Sequence, residues 1–144
     1  MTAQIFWGSM MLGLCSVLHV GFIIAVIKIL MHLGKSLSDR NFAIRVGILL
    51  GSAFAAIVLS HTVQIWLWAL SFIILGAIPD IDKSIYFALV TYTTLGYGDV
   101  TLGDDLRLYA AMAAVTGLLN FGLSTAFLVG VVGKLLPTHL SKQK

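Results

Sequence analysis

The chain has 144 residues, of which 59% are hydrophobic and 10% charged, with a mean hydropathy of +1.01. Such a balance cannot clothe a soluble domain in a solvated surface, so this is an integral membrane protein, with length for about three spans of ~20 residues and none for a soluble catalytic or ligand-sensing domain. A formal charge of +3 is too small to point to nucleic acid, and the single cysteine, Cys15, lies in an apolar run where no intrachain disulfide can form.

The first apolar run, Ile5 to Leu33, reads as one spanning helix. The leading MTAQIF carries no positive side chain and the run is long for a signal peptide, so the helix is expected to stay in the mature protein. The polar connector Gly34 to Asn41 closes an N-terminal unit, residues 1–41. The second run, Phe42 to Ile78, is broken near its middle by Ser60 to Gln64. As one straight helix it would reach roughly 55 Å at about 1.5 Å per residue, well beyond a roughly 30 Å hydrocarbon core. We read one tilted or broken helix whose outer end, with Trp66 and Trp68, leaves the hydrocarbon. The other arrangement, two spans divided at His61, leaves Ile65 to Ile78 with the length of a buried or interfacial segment.

Pro79 ends that run, and Asp80, Asp82 and Lys83 form a polar turn in which the aspartates serve as caps for a following helix or gather cations. Ser84 to Thr93 is apolar and about three turns long, too short to cross a bilayer, and predicts a re-entrant half-helix. It leads into TLGYGD, Thr94 to Asp99. After the acidic loop Gly103 to Asp105 comes the third span, Leu106 to Leu136, and then a short tail, residues 137–144. The expected unit over 42–136 thus holds an outer helix 42–78, a half-helix 84–93, a loop 94–98 and an inner helix 106–136.

Charge placement predicts orientation. Lys35, Arg40 and Arg45 cluster between the first two spans, with Lys28 close enough to snorkel, and Lys134, Lys142 and Lys144 follow the third; the opposite face has Lys83 and Arg107 against Asp80, Asp82, Asp99, Asp104 and Asp105. By the positive-inside rule the amino terminus is outside and the carboxyl terminus cytoplasmic. The glycine-tyrosine stretch then opens outward at an acidic mouth. Irregular backbone at membrane depth is tolerated only when buried in protein or lining a water-filled path. Alternating glycines let successive carbonyls point one way, and the carboxyl end of the half-helix adds partial negative charge, so the stretch suits a dehydrated cation. One strand cannot surround an ion, so several chains must converge on one axis.

TLGYGD resembles the selectivity filter of potassium channels. The flanks agree: YFALVTYTT stands where that family has its pore helix, and AVTGLLNFGLSTA, Ala114 to Ala126, where it has the pore-lining inner helix. HTVQIWLWA, His61 to Ala69, resembles a stretch of small bacterial three-helix members. The resemblance implies an all-α tetrameric pore in a plasma membrane, the inner membrane of a bacterium. Potassium would bind the carbonyls of Thr94, Leu95, Gly96, Tyr97 and Gly98 and the Thr94 hydroxyl, with Asp99 just above and Thr93 below as support. Leu118, Phe121 and Thr125 would face a central cavity, with Gly117 as the flexible point or as a packing contact; Gly122 and Gly130 would permit close helix packing. One filter strand per chain makes a homotetramer the simplest assembly. The expected function is passive conduction of K+, with no cofactor, no enzymatic chemistry and no soluble regulatory domain.

Three departures from the pattern stand out. Leu95 replaces the commoner valine, Val90 stands where some members have a glutamate that clamps the aspartate above the filter, and Tyr86 with Phe87 replaces a pair that is often two tryptophans. Tyr86 is therefore the candidate hydrogen-bond partner of Asp99. His19 and His61 both fall near mid-membrane, where ionisable side chains are functional candidates; they are read either as neutral imidazoles bonded to Gln64 or Ser60 or as a modulatory, pH-sensing pair. No span carries a basic residue at every third position, so a voltage sensor is absent. The alternatives are a weakly selective cation channel and a non-conducting accessory subunit.

Overall fold

The computed structural model describes residues 2–135 and is all-helical there: α1 Thr2–Ser36, α2 Phe42–Ile74, α3 Ile81–Tyr92 and α4 Arg107–Leu135. α1, α2 and α4 are long and apolar enough to cross a membrane; α3, at 12 residues, is not. Leu136 and the expected tail, with Lys142 and Lys144, lie outside the described residues.

α2 runs unbroken through Ser60 to Gln64, so the chain does not divide at His61. It stops four residues before the expected Ile78. Gly76 takes a left-handed φ of 67°, its N–H bonds to the Ile73 carbonyl, and the Ala77 N–H reaches back to Phe72. This is a Schellman stop, available to glycine without a Cβ penalty, and it ends the helix before Pro79 is reached. The reading of Trp68 is also corrected. Trp66 is exposed, but Trp68 is fully buried, facing Phe72 and, with ring centroids 5.3 Å apart, Tyr109 of α4. Apolar burial against α4, not an interfacial position, accounts for it.

α3 starts at Ile81 rather than Ser84, because Asp80 is its N-cap and accepts from the Lys83 N–H at 2.8 Å. Capping is thus what Asp80 does. The helix is pinned to α2 by Ser84, whose hydroxyl donates to the Ala69 carbonyl at 2.8 Å, and by Phe87 packed edge-on against Phe72 at 5.1 Å. These residues belong to one core that also takes in Cys15, Tyr92, Tyr109 and Ala113, so all four helices contribute to it. α1 is tied to the start of α4 by Gln4, which donates to the Asp104 carbonyl at 3.0 Å and accepts from the Leu108 N–H at 3.1 Å. That amide is one of the donors a helix start leaves unpaired.

Replacing Asp80 by alanine should cost about 1 kcal/mol through loss of the α3 cap, and Gly76→Ala about 1–2 kcal/mol through left-handed strain. Both should appear as lowered thermal midpoints of the purified protein in detergent. An unchanged midpoint for either would contradict the corresponding stop or start signal.

Candidate functional site

The loop after α3 alternates in backbone handedness. Thr94, Gly96 and Gly98 have φ of 61°, 54° and 77°, while Leu95 and Tyr97 between them do not take positive values. Glycine adopts that region freely; threonine, β-branched, does so at a cost of about 1–3 kcal/mol, which the surrounding structure must supply.

The hydrogen bonds show what holds it. The Thr93 N–H bonds to Leu89 at 3.0 Å, the Thr94 N–H to Thr91 at 2.9 Å, and the Leu95 and Gly96 N–H groups both to Val90 at 3.0 and 3.2 Å. The last-turn carbonyls that a helix end leaves orphaned are thus the acceptors for the loop's amides. A trans peptide points its C=O opposite to its N–H, so the carbonyls of Thr93, Thr94 and Leu95 are turned away from α3. Among the described residues no hydrogen bond ends on the carbonyls of 94–98. The site therefore offers a row of uncommitted neutral oxygens, a donor set for a hard cation. Val90 contributes through its backbone carbonyl, while its side chain is buried.

Above the loop, the Tyr86 hydroxyl donates to Asp99 Oδ2 at 2.6 Å. This bond raises the Tyr86 pKa above its ordinary value and so keeps the phenol a donor. Thr93 turns its own hydroxyl back to the Leu89 carbonyl at 2.8 Å, closing the end of α3.

Behind the loop, α4 passes Tyr92, the last residue of α3. A Cβ at Gly117 would overlap the Tyr92 carbonyl oxygen, a backbone atom that cannot swing aside, and α4 is continuous through this glycine. Gly122 and Gly130 meet nothing within 4 Å in the single chain. Leu118 and Thr125 lie on an exposed face of α4 with Phe121, which is 40% exposed and also stacks on the His61 ring at 4.3 Å.

The buried face of α4 meets a polar cluster near the middle of the three long helices. Gln64 accepts on Oε1 from Tyr92 at 3.1 Å and from the Asn120 amide, so its nitrogen end must face His19, where it donates to Nδ1 at 3.1 Å. Ser60 lies 2.9 Å from the same nitrogen. With Nδ1 an acceptor, His19 carries its proton on Nε2, 3.0 Å from Ser124 Oγ. Ser124 then donates onward to His61 Nε2 at 3.0 Å, and His61 Nδ1 donates to the Tyr92 oxygen at 2.9 Å, whose proton returns to Gln64. Five side chains from all four helices close a ring in which every proton points the same way round and both imidazoles are neutral. His19 and His61, expected near one another, have ring centroids 5.0 Å apart.

Gln64 and Ser60 were named from the sequence as partners of the histidines; Tyr92, Asn120 and Ser124 were not. The signal was present. Ser60 and Gln64 on α2, and Asn120 and Ser124 on α4, are polar pairs four apart in otherwise apolar spans, which places each pair on one helix face. Among the described residues no group of three His, Cys, Asp or Glu side chains is placed to hold a metal ion.

Three long apolar helices bundle with a short one packed between α2 and α4, whose end presents unpaired carbonyl oxygens, an arrangement suited to a membrane pore. A family model described as "Ion channel" matches residues 48–134, more than half of the chain, and the protein belongs to that family. It is accordingly a membrane ion-channel protein and not an enzyme. Comparison with curated proteins and with solved structures gave no match.

Two outcomes are expected of the polar ring. Nitrogen NMR on ring-labelled histidine should give opposite neutral tautomers, His19 protonated on Nε2 and His61 on Nδ1; identical tautomers would break the assignment. Ser124→Ala, which orphans two buried groups, should cost about 1–2 kcal/mol of stability, whereas Thr125→Ala, whose hydroxyl bonds only to its own helix, should cost less.

Proposed function

We propose that this chain is one subunit of a homotetrameric potassium channel that conducts K+ passively. In this reading α3 is a re-entrant pore helix, residues 94–98 are the filter strand, and the carbonyls of Thr94, Leu95, Gly96, Tyr97 and Gly98 with the Thr94 hydroxyl replace water around the ion. The observation that carries it is the alternating handedness at Thr94, Gly96 and Gly98 combined with amides spent on the end of α3. That combination frees a row of oxygens and does nothing else useful in a monomer.

Side-chain exposure supports assembly. Leu95 and Tyr97 are 55% and 70% exposed in the single chain, as is the Leu118 face of α4 at 65%. In a four-fold arrangement neighbouring copies cover Leu95 and Tyr97, while Leu118, Phe121 and Thr125 line the cavity and lipid covers the outer faces. The amino terminus lies outside and the basic ends of the spans in the cytoplasm of a bacterial inner membrane. Asp99, held by Tyr86, supports the outer end of the filter in place of a glutamate clamp at Val90. Neutral His19 and His61 in a closed ring serve to position Tyr92 beneath the filter.

The test is potassium flux into liposomes reconstituted with the purified protein, repeated with sodium. Potassium flux with little sodium flux is expected, and Gly96→Ala, strained by about 1–2 kcal/mol in each of four copies, should abolish it. Equal flux of both ions would make this a weakly selective cation channel. No flux from a folded tetramer would make it an accessory subunit. Tyr86→Phe should leave assembly intact but hasten the decay of potassium flux during sustained conduction; an unchanged time course would remove Tyr86 from the filter's support.

A further inference from the structure

At the end of the bundle away from the loop, α1, α2 and α4 leave a groove of about 530 Å³. Its walls are apolar, with Leu30, Met31, Phe127 and Val131 among them, and its rim carries three cations from three helices: Lys35, Arg45 and Lys134. Among the described residues the one ion pair is Arg107 with Asp104, near the opposite end of α4, so none of the three rim cations has a carboxylate partner. Arg45 is half-buried, and no side chain among the described residues accepts from its guanidinium. An apolar slot closed by unpaired cations at one end has the complement of an amphiphile with an anionic head.

We propose that this groove binds an anionic phospholipid, the phosphate between Lys35, Arg45 and Lys134 and one acyl chain along Leu30, Met31, Phe127 and Val131. The three spans end at this level, so the rim lies where headgroups lie and the slot where chains lie. The assignment to the cytoplasmic leaflet, the anionic one, rests on the orientation proposed above; the chemistry of the groove does not. A second copy of the chain is a poor occupant. Its equivalent end offers Lys35, Arg40, Arg45 and Lys134 against Asp39 alone among the described residues, and like charges would face each other. A soluble anion would satisfy the rim but leave the apolar slot unfilled.

Gly130 allows the two halves of the site to be tested separately. It lines the groove and a Cβ there meets nothing within 4 Å, so a larger side chain can enter the slot with every cation retained.

The experiment is native mass spectrometry of the full chain in detergent, titrated with phosphatidylglycerol or phosphatidylcholine, with and without excess inorganic phosphate. Wild type should prefer phosphatidylglycerol. Lys35→Gln/Arg45→Gln/Lys134→Gln should weaken that binding on the order of 100-fold, and Gly130→Leu about tenfold with every cation retained. Lys83→Gln, at the other end, should bind as wild type. Equal retention of the two lipids would overturn the proposal. So would a Gly130→Leu chain that binds normally, which would reduce the effect to surface charge, and so would displacement of the lipid by inorganic phosphate, which would make this an anion site. Since no flux is read, a failure here is distinct from a failure to conduct.

Discussion

Backbone amides away from water need acceptors, and the first four residues after α3 find theirs in one stroke. A helix end leaves carbonyls without donors, and an irregular loop leaves amides without acceptors. Here each supplies what the other lacks: Leu89, Val90 and Thr91 accept from the amides of residues 93–96. The carbonyls on the far side of those same peptides are left over, pointing away from α3. The row of free oxygens is a consequence of this pairing, and it exists only while the end of α3 stays where it is.

Most of the remaining architecture fixes that end. Asp80 caps the start of α3, Ser84 and Phe87 lock it to α2, and Gly117 lets α4 pass against the Tyr92 carbonyl. Tyr92 is held on both sides, by its backbone against α4 and by its hydroxyl between His61 and Gln64. It stands two residues before Thr94, among the described residues the one other than glycine held at positive φ. Strain of that kind persists only where neighbours over-determine the backbone, and here they do.

Much of this was legible in the sequence, and the parts that were not share a cause. Three spans, a short fourth helix and the glycine loop followed from hydropathy and from the spacing of Gly96 and Gly98, because composition and local backbone preference decide them. The Tyr86 bond to Asp99 could be inferred from the resemblance, because Tyr86 and Phe87 stand where that pattern often has two tryptophans. The end of α2 was misplaced because Pro79 is the louder signal, although Gly76, three residues earlier, does the stopping. Trp68 was put at the interface because tryptophan prefers it, and nothing local announces that α4 brings Tyr109 to its other side. Tyr92, Asn120 and Ser124 went unnoticed for the same reason. Their roles depend on which helix faces meet, and a one-dimensional pattern gives the face without the neighbour.

The ring also bears on why α1 is present. In hydrocarbon a polar contact between helices contributes only about 0.6–1.7 kcal/mol, so a helix needed merely as an anchor would pack as well with apolar side chains. What an apolar face cannot do is choose one rotation and one height. His19 sits at the midpoint of α1, and its two nitrogens demand a donor on one side and an acceptor on the other; Gln64 and Ser124 satisfy both at a single register. Gln4 fixes the N-terminal end independently, on the first turn of α4. Two polar locks half the helix apart leave α1 neither sliding nor turning. Because the inner lock shares Gln64 and Ser124 with the bonds that hold His61 and Tyr92, a displacement of α1 reaches the end of α3 through hydrogen bonds alone. The extra helix is thus part of what holds the end of α3 and the loop that follows it.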